Sequence, residues 1–174
     1  MKKHKEELKK FHGAKPLRRK PTRRGRGFRF HSADSSLGAK RAVQRNEVRL
    51  WLEDSADSWK VAQQNFELGN YHVAAFYTHA AVEKILKAAI IAFRRRAPMK
   101  THNLKELHSE VADEVELSEE QQDFLGELTP AAQIARYVDA ATAVPRDIYS
   151  KRLAERYLTA AQPILEAVKR RLQP

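Results

Sequence analysis

The sequence predicts an all-α protein: an up-and-down bundle of four to five helices preceded by a disordered basic tail. Three observations carry that expectation. From about Arg41 onward, apolar residues recur at three- and four-residue spacing, the period of a helix with one buried face. No competing segment alternates with the period of two that a half-buried strand requires. Residues that start and stop helices fall at the ends of the periodic segments. A chain of 174 residues is long enough for one domain with a core of its own.

Residues 1–41 are expected to be the tail and residues 42–174 the bundle domain. The tail has few large apolar side chains, and its first 40 residues hold four of the six glycines. It carries the run Lys15-Pro16-Leu17-Arg18-Arg19-Lys20-Pro21-Thr22-Arg23-Arg24-Gly25-Arg26-Gly27. Such a segment buries too little surface to offset its ordering entropy.

The first helix is expected from about Ala42 to Leu68. Val48, Leu52, Ser55, Trp59, Ala62 and Phe66 form its stripe, and Gly69 stops it. A second helix runs from about Tyr71 to Arg95, with cationic residues at its negative end and Pro98 beyond. Its small residues Ala74, Ala81 and Ala88 allow a second backbone to pack close. Asn103 with Glu106 three residues on marks a short third helix, and Ser118 with Gln121 marks a fourth. Thr129-Pro130 reads as a fresh N-cap, with the element kinking or restarting there and continuing to about Val138. The last helix spans about Arg146 to Leu172, with Pro163 expected to kink it and a stripe of Ala154, Tyr157, Ala161, Leu165, Val168 and Leu172. The core is expected to include Trp59, Phe66, Phe76, Ala80, Ile90, Leu107, Phe124, Leu128, Tyr157 and Leu165.

Charge is divided unevenly. Residues 1–46 hold 16 Lys/Arg against 3 Asp/Glu, a balance of +13, whereas residues 47–174 hold 17 against 19, a balance of −2. A polyanion would therefore meet the tail first. Arg18, Arg19, Lys20, Arg23, Arg24 and Arg26 can neutralise phosphates, with Phe28 and Phe30 available to stack on bases. The alternative is a solubilising extension or a mis-assigned start. The absence of cysteine excludes disulfides and thiolate chemistry. No run of about 18 apolar residues is present, and the N-terminus lacks the apolar stretch of a secretory signal, so a cytoplasmic protein is expected.

Candidate site residues are few. Glu83 and Lys87 are spaced as a favourable helical ion pair, worth about 0.2–0.5 kcal/mol on a solvated face. His72 and His79 share a helix face but are poorly spaced for a metal, so no metal is expected. Arg136-Tyr137 is suited either to binding phosphate and stacking a base or to closing a helix end.

Several motifs occur in an order that resembles the HEPN domains. They are Trp59-x-x-Ala62, the stretch Asn70-Tyr71-x-x-Ala74-x-Phe76 leading to Glu83-Lys84-x-x-Lys87-Ala88, Thr101-His102-Asn103-Leu104-x-x-Leu107, and Ala135-Arg136-Tyr137 before a final amphipathic helix. The resemblance covers about residues 42–172. Many HEPN domains are ribonucleases that dimerise and build a shared, metal-free site from an Arg-x4–6-His motif. Others are nucleotide- or partner-binding modules, and one branch is often encoded beside a minimal nucleotidyltransferase in toxin–antitoxin style. The resemblance thus implies a homodimer, here expected through the second and last helices. It also points to Glu83, Lys84, Lys87, Arg136 and Tyr137 as phosphate- or ligand-binding residues.

The sequence departs from the nuclease pattern. Arg136 matches the motif arginine by position, but Ala141, Thr142 and Ala143 stand where the histidine would be. Alanine cannot move a proton. Arg96 before His102 satisfies the spacing elsewhere, although arginine is so frequent here that a chance match is expected. The expectation is a non-catalytic module, without cofactor, that binds nucleotide or RNA and a nucleotidyltransferase partner. The alternatives are a metal-independent ribonuclease toxin using Arg96 and His102, and a structural adaptor.

Overall fold

The computed structural model describes residues 32–172, with side chains described from Gln44 to Leu172. Of the expected tail over residues 1–41, residues 1–31, including Arg18, Arg19, Lys20, Arg23, Arg24 and Arg26, lie outside the described residues, whereas residues 32–41 belong to the first helix. Among those described, every regular element is helical: α1 (Ser32–Glu67), α2 (Tyr71–Arg94), α3 (Leu104–Ser109), α4 (Glu119–Leu128), α5 (Ala131–Ile134), α6 (Pro145–Ile148) and α7 (Lys151–Leu172). None of them is long and apolar enough to cross a membrane.

The first helix starts about ten residues before the expected Ala42. No proline lies between Pro21 and Pro98, so nothing in the covalent chain forces a break there. At its other end Gly69 adopts φ of +78°, a left-handed value that glycine tolerates without a Cβ penalty. The chain then reverses, and α2 packs antiparallel to α1. Gln44 donates to the Ile91 carbonyl at 2.5 Å, Ser55 to the Ala81 carbonyl at 2.8 Å, and Lys84 to Asp54 and Ser58 at 2.8 Å each.

That pairing changes the reading of the alanine face. Ala74, Ala81 and Ala88 are fully buried within one protomer, and the Ser55 bond to Ala81 places α1 against them. The small residues bring two helices of the same chain together, so they are not free to face a second copy. α2 also packs extensively on α7, the other helix expected at a dimer interface.

Core residues come mostly from α2, α3, α4 and α7. Val82, Leu86, Ile90, Leu104, Leu107, Leu125, Leu128 and Ile164 are essentially without solvent exposure. Of the expected core, Ile90, Leu107, Phe124, Leu128, Tyr157 and Leu165 are buried. Trp59 and Phe76 are only half-buried against the cluster, and Phe66 and Ala80 are partly exposed as well. Large aromatics on α1 and α2 cover the core's edge, while the tightest helix approach uses serine and alanine.

Two expected starts are confirmed by their hydrogen bonds. The Asn103 side chain accepts from the Lys105 and Glu106 amides, and Ser118 with Gln121 forms a reciprocal capping box. Thr129 behaves differently. It is helical, its hydroxyl donates to the Leu125 carbonyl at 2.7 Å, and it accepts from the Leu104 amide at 3.1 Å. It therefore closes α4 and ties it to α3 without capping the helix that restarts after Pro130 as expected. The following α5 stops at Ile134, short of the expected Val138. The last helix also begins later than Arg146. Tyr149 is extended, and the Ser150 hydroxyl accepts from the Leu153 amide at 3.2 Å, resetting the start of α7. Pro163 lies inside α7 on its exposed side.

Candidate functional site

Along α2, Phe76, His79, Glu83 and Lys87 follow 3-4-4 spacing and so share one side of the helix. The connection after α2 brings His102 onto this row. Arg95, in left-handed conformation, ends the helix with its amide bonded to the Ile91 carbonyl, and the chain turns back towards the Asn103 cap of α3.

His79 fixes that return. It is 1 % exposed, and its Nε2 lies 3.0 Å from the main-chain oxygen of His102. A carbonyl only accepts, so His79 Nε2 carries the hydrogen. Its Nδ1 is 3.6 Å from Glu83 Oε2. Burial holds the His79 imidazole below its ordinary pKa, with the positive Arg136 acting in the same direction and Glu83 opposing.

Glu83 is the hub. Its Oε1 accepts from Lys87 Nζ at 2.5 Å and its Oε2 from His102 Nδ1 at 3.0 Å. Burial alone would raise the carboxyl pKa, but the Lys87 and His102 hydrogen bonds and the nearby positive charge bring it below its ordinary value. With His102 Nδ1 donating to Glu83, its Nε2 is the ring nitrogen left free of that bond, on a side chain that is 64 % exposed. Lys87 also lies over the Trp51 ring of α1, 5.7 Å from its centroid.

Arg136 completes the other end. Its Nε donates to the Ala132 carbonyl at 2.6 Å. Its guanidinium lies between Phe76 and Tyr137, at 4.7 and 5.0 Å from the ring centroids. It is held by one edge and two rings, and its terminal nitrogens have no hydrogen-bond partner among the described residues and suit a planar, bidentate acceptor such as phosphate. Tyr137 is 50 % exposed and offers a stacking surface.

The structure thus joins Glu83, Lys87 and His102, and it sets Arg136 and Tyr137 at Phe76, one turn from His79. Two candidates are not part of the row. Lys84 turns to Asp54 and Ser58 and holds α1 to α2. Arg96 pairs with Glu110 and donates to the Ala97 carbonyl, so the Arg96/His102 motif is not assembled as a unit. Three contributors escaped sequence reasoning in this role: His79, Trp51 and Phe76. The polar 3-4-4 row within an apolar helix was a visible signal for His79. Nothing in sequence spacing linked Trp51 to Lys87.

An open groove of about 1030 Å³ between α4 and α7 lies elsewhere. Glu119, Glu120, Asp123, Glu127 and Glu155 line it, opposed by Arg152 and Arg156, which makes it a poor host for phosphate.

Comparison with known proteins agrees with this fold. A family model described as HEPN domain matches residues 48–171. The fold is similar to the crystal structure of TT1696 from Thermus thermophilus, at 30 % identity over 72 % of this chain and 98 % of that one, with a TM-score of 0.66. It is also similar to the crystal structure of ST0689, an archaeal HEPN homologue, at 20 % identity over 73 % of this chain and 98 % of that one, with a TM-score of 0.59; that likeness is one of fold. No curated protein matches the chain. With the family model spanning most of its length, the chain belongs to the HEPN domain family.

Proposed function

We propose that this HEPN protein is a non-catalytic binding module for a phosphate- and base-bearing ligand, a nucleotide or RNA, acting in the cytoplasm. The observation that carries the reading is Arg136. Its guanidinium is pre-positioned by the Ala132 carbonyl and two aromatic rings, with the terminal nitrogens open to phosphate and Tyr137 beside them for a base. The residues that follow it, Val138 to Ala143, include no histidine to transfer a proton. The basic segment that includes Arg18, Arg19, Lys20, Arg23, Arg24 and Arg26 adds sequence-independent attraction for RNA.

Association with a second copy and with a minimal nucleotidyltransferase, in toxin–antitoxin style, belongs to the same proposal and is supported by the family resemblance. Since the alanine face is used inside the protomer, a homodimer must form through another surface.

A second reading has one observation in its favour. Glu83 orients His102 with Nε2 exposed, an arrangement suited to general acid–base chemistry. The discriminating experiment incubates a mixed RNA with wild type, Arg136→Ala and His102→Ala, with and without added metal, and records binding and cleavage. The expected result is intact RNA throughout, with binding weakened at least about tenfold in Arg136→Ala, the loss of a charged hydrogen-bonding group. Metal-independent cleavage that disappears in His102→Ala would replace the binding reading with a ribonuclease.

A further inference from the structure

The row on α2 has an aromatic–cation pair at each end. At one end Arg136 lies against Tyr137, which is half exposed; at the other Lys87, only 12 % exposed and with its ammonium on Glu83, lies against Trp51, which is partly exposed. Phe76, which supports Arg136, and Lys87 are eleven residues apart on one helix. Eleven residues turn the helix by three full revolutions and about 20°, so both ends face the same way, separated by about 16 Å. Between them stands the exposed His102 imidazole, aligned by Glu83. Glu83 itself is occupied: one oxygen takes Lys87, and the other faces His102 and His79. It aligns the bases along the row instead of presenting a bare negative charge.

A stacked single strand rises about 3.4 Å per nucleotide, so about 16 Å corresponds to roughly five stacked residues, or fewer in an extended strand. A mononucleotide occupies only one end. A cation that holds the backbone, here the exposed Arg136, beside aromatic rings that stack bases, here Tyr137 and Trp51, is the recurring chemistry of single-strand binding.

We propose that the row takes a single-stranded oligonucleotide of three to five residues, running from Tyr137 to Trp51, in preference to a mononucleotide. The inference rests on the binding reading above and adds the length and course of the ligand. Trp51 becomes the residue that distinguishes a strand from a single nucleotide.

The chain has two tryptophans, so Trp59→Phe leaves Trp51 as the sole indole reporter in the full-length protein. Mixed-sequence ribo- and deoxyribo-pentanucleotides and nucleoside monophosphates are titrated into this variant at about 150 mM salt, where long-range tail attraction is screened. At least one pentanucleotide is expected to quench Trp51 and to bind at least tenfold more tightly than the monophosphates, whereas the monophosphates leave Trp51 unquenched. Tyr137→Ala should weaken both ligands. Trp51→Leu, followed by anisotropy of labelled ligands, should weaken the pentanucleotide about tenfold and leave the monophosphates unchanged; stacking on one ring accounts for that difference. Monophosphates that bind as tightly as pentanucleotides would overturn this inference and leave the binding reading standing. Pentanucleotide binding indifferent to Trp51 and Tyr137 would place the strand elsewhere and overturn it too. Failure of every ligand would remove both.

Discussion

His79 shows how one buried side chain organises the site. Its Nε2–H fixes the His102 main chain, and its depressed pKa means the folded protein favours the neutral ring. Below the ordinary imidazole pKa of about 6.5, the unfolded chain takes up a proton that the folded chain resists. Stability from this residue is therefore present above that pH and falls as pH drops through the interval below it. His79→Gln, which retains a donor, should flatten the dependence of the melting midpoint on pH between about 5 and 6.5. A slope equal to wild type would show that His79 does not carry it. Glu83 acts at lower pH with the same sign. Its carboxyl pKa is below the ordinary value, so its contribution is complete above the unfolded value and lost as pH falls through the folded one.

At the scale of elements, packing divides the helices into those that make the core and those that line it. Leu86 on α2 has no exposure, and Leu86→Ala should cost about 2–5 kcal/mol by chemical denaturation. Trp59→Ala should cost less, because the ring is only half-buried at the core's edge. Equal costs would contradict that placement. Ser118→Ala removes one side of a reciprocal capping box and should cost about 1 kcal/mol. The caps at Asn103 and Ser118 were legible because the bonding residues lie within three positions of each other. Thr129 was not, since its hydroxyl accepts from Leu104, twenty-five residues away. The burial of Ala74, Ala81 and Ala88 was missed for a related reason. Small residues announce a close approach, but not whether the approaching backbone belongs to the same chain.

For the whole molecule, the fold class followed from periodicity, and the motifs led to the family. The site was half legible. Glu83, Lys87, Arg136 and Tyr137 were marked as candidates, while their connection through His79 and His102 depends on how the loop after α2 returns. Charge operates at this scale as well. With the +13 balance confined to residues 1–46, deleting residues 1–31 should reduce the salt dependence of RNA binding and leave the melting point unchanged. About six phosphate contacts from the basic segment would give roughly a thousandfold fall in affinity between 50 and 200 mM salt in the full chain. A truncated protein with the full salt slope would exclude that segment as the electrostatic footprint.

The proposed function stands or falls on whether the row from Arg136 to Lys87 receives a phosphate-bearing ligand. The most direct measurement is a nitrogen NMR titration of histidine-labelled protein with a mixed pentaribonucleotide. The exposed His102 ring is expected to shift on binding, the buried His108 ring, which donates to the Val115 carbonyl at 2.9 Å, is expected not to, and Arg136→Ala should abolish the His102 response. A saturating ligand that leaves His102 unmoved, or that moves it equally in Arg136→Ala, would contradict the claim.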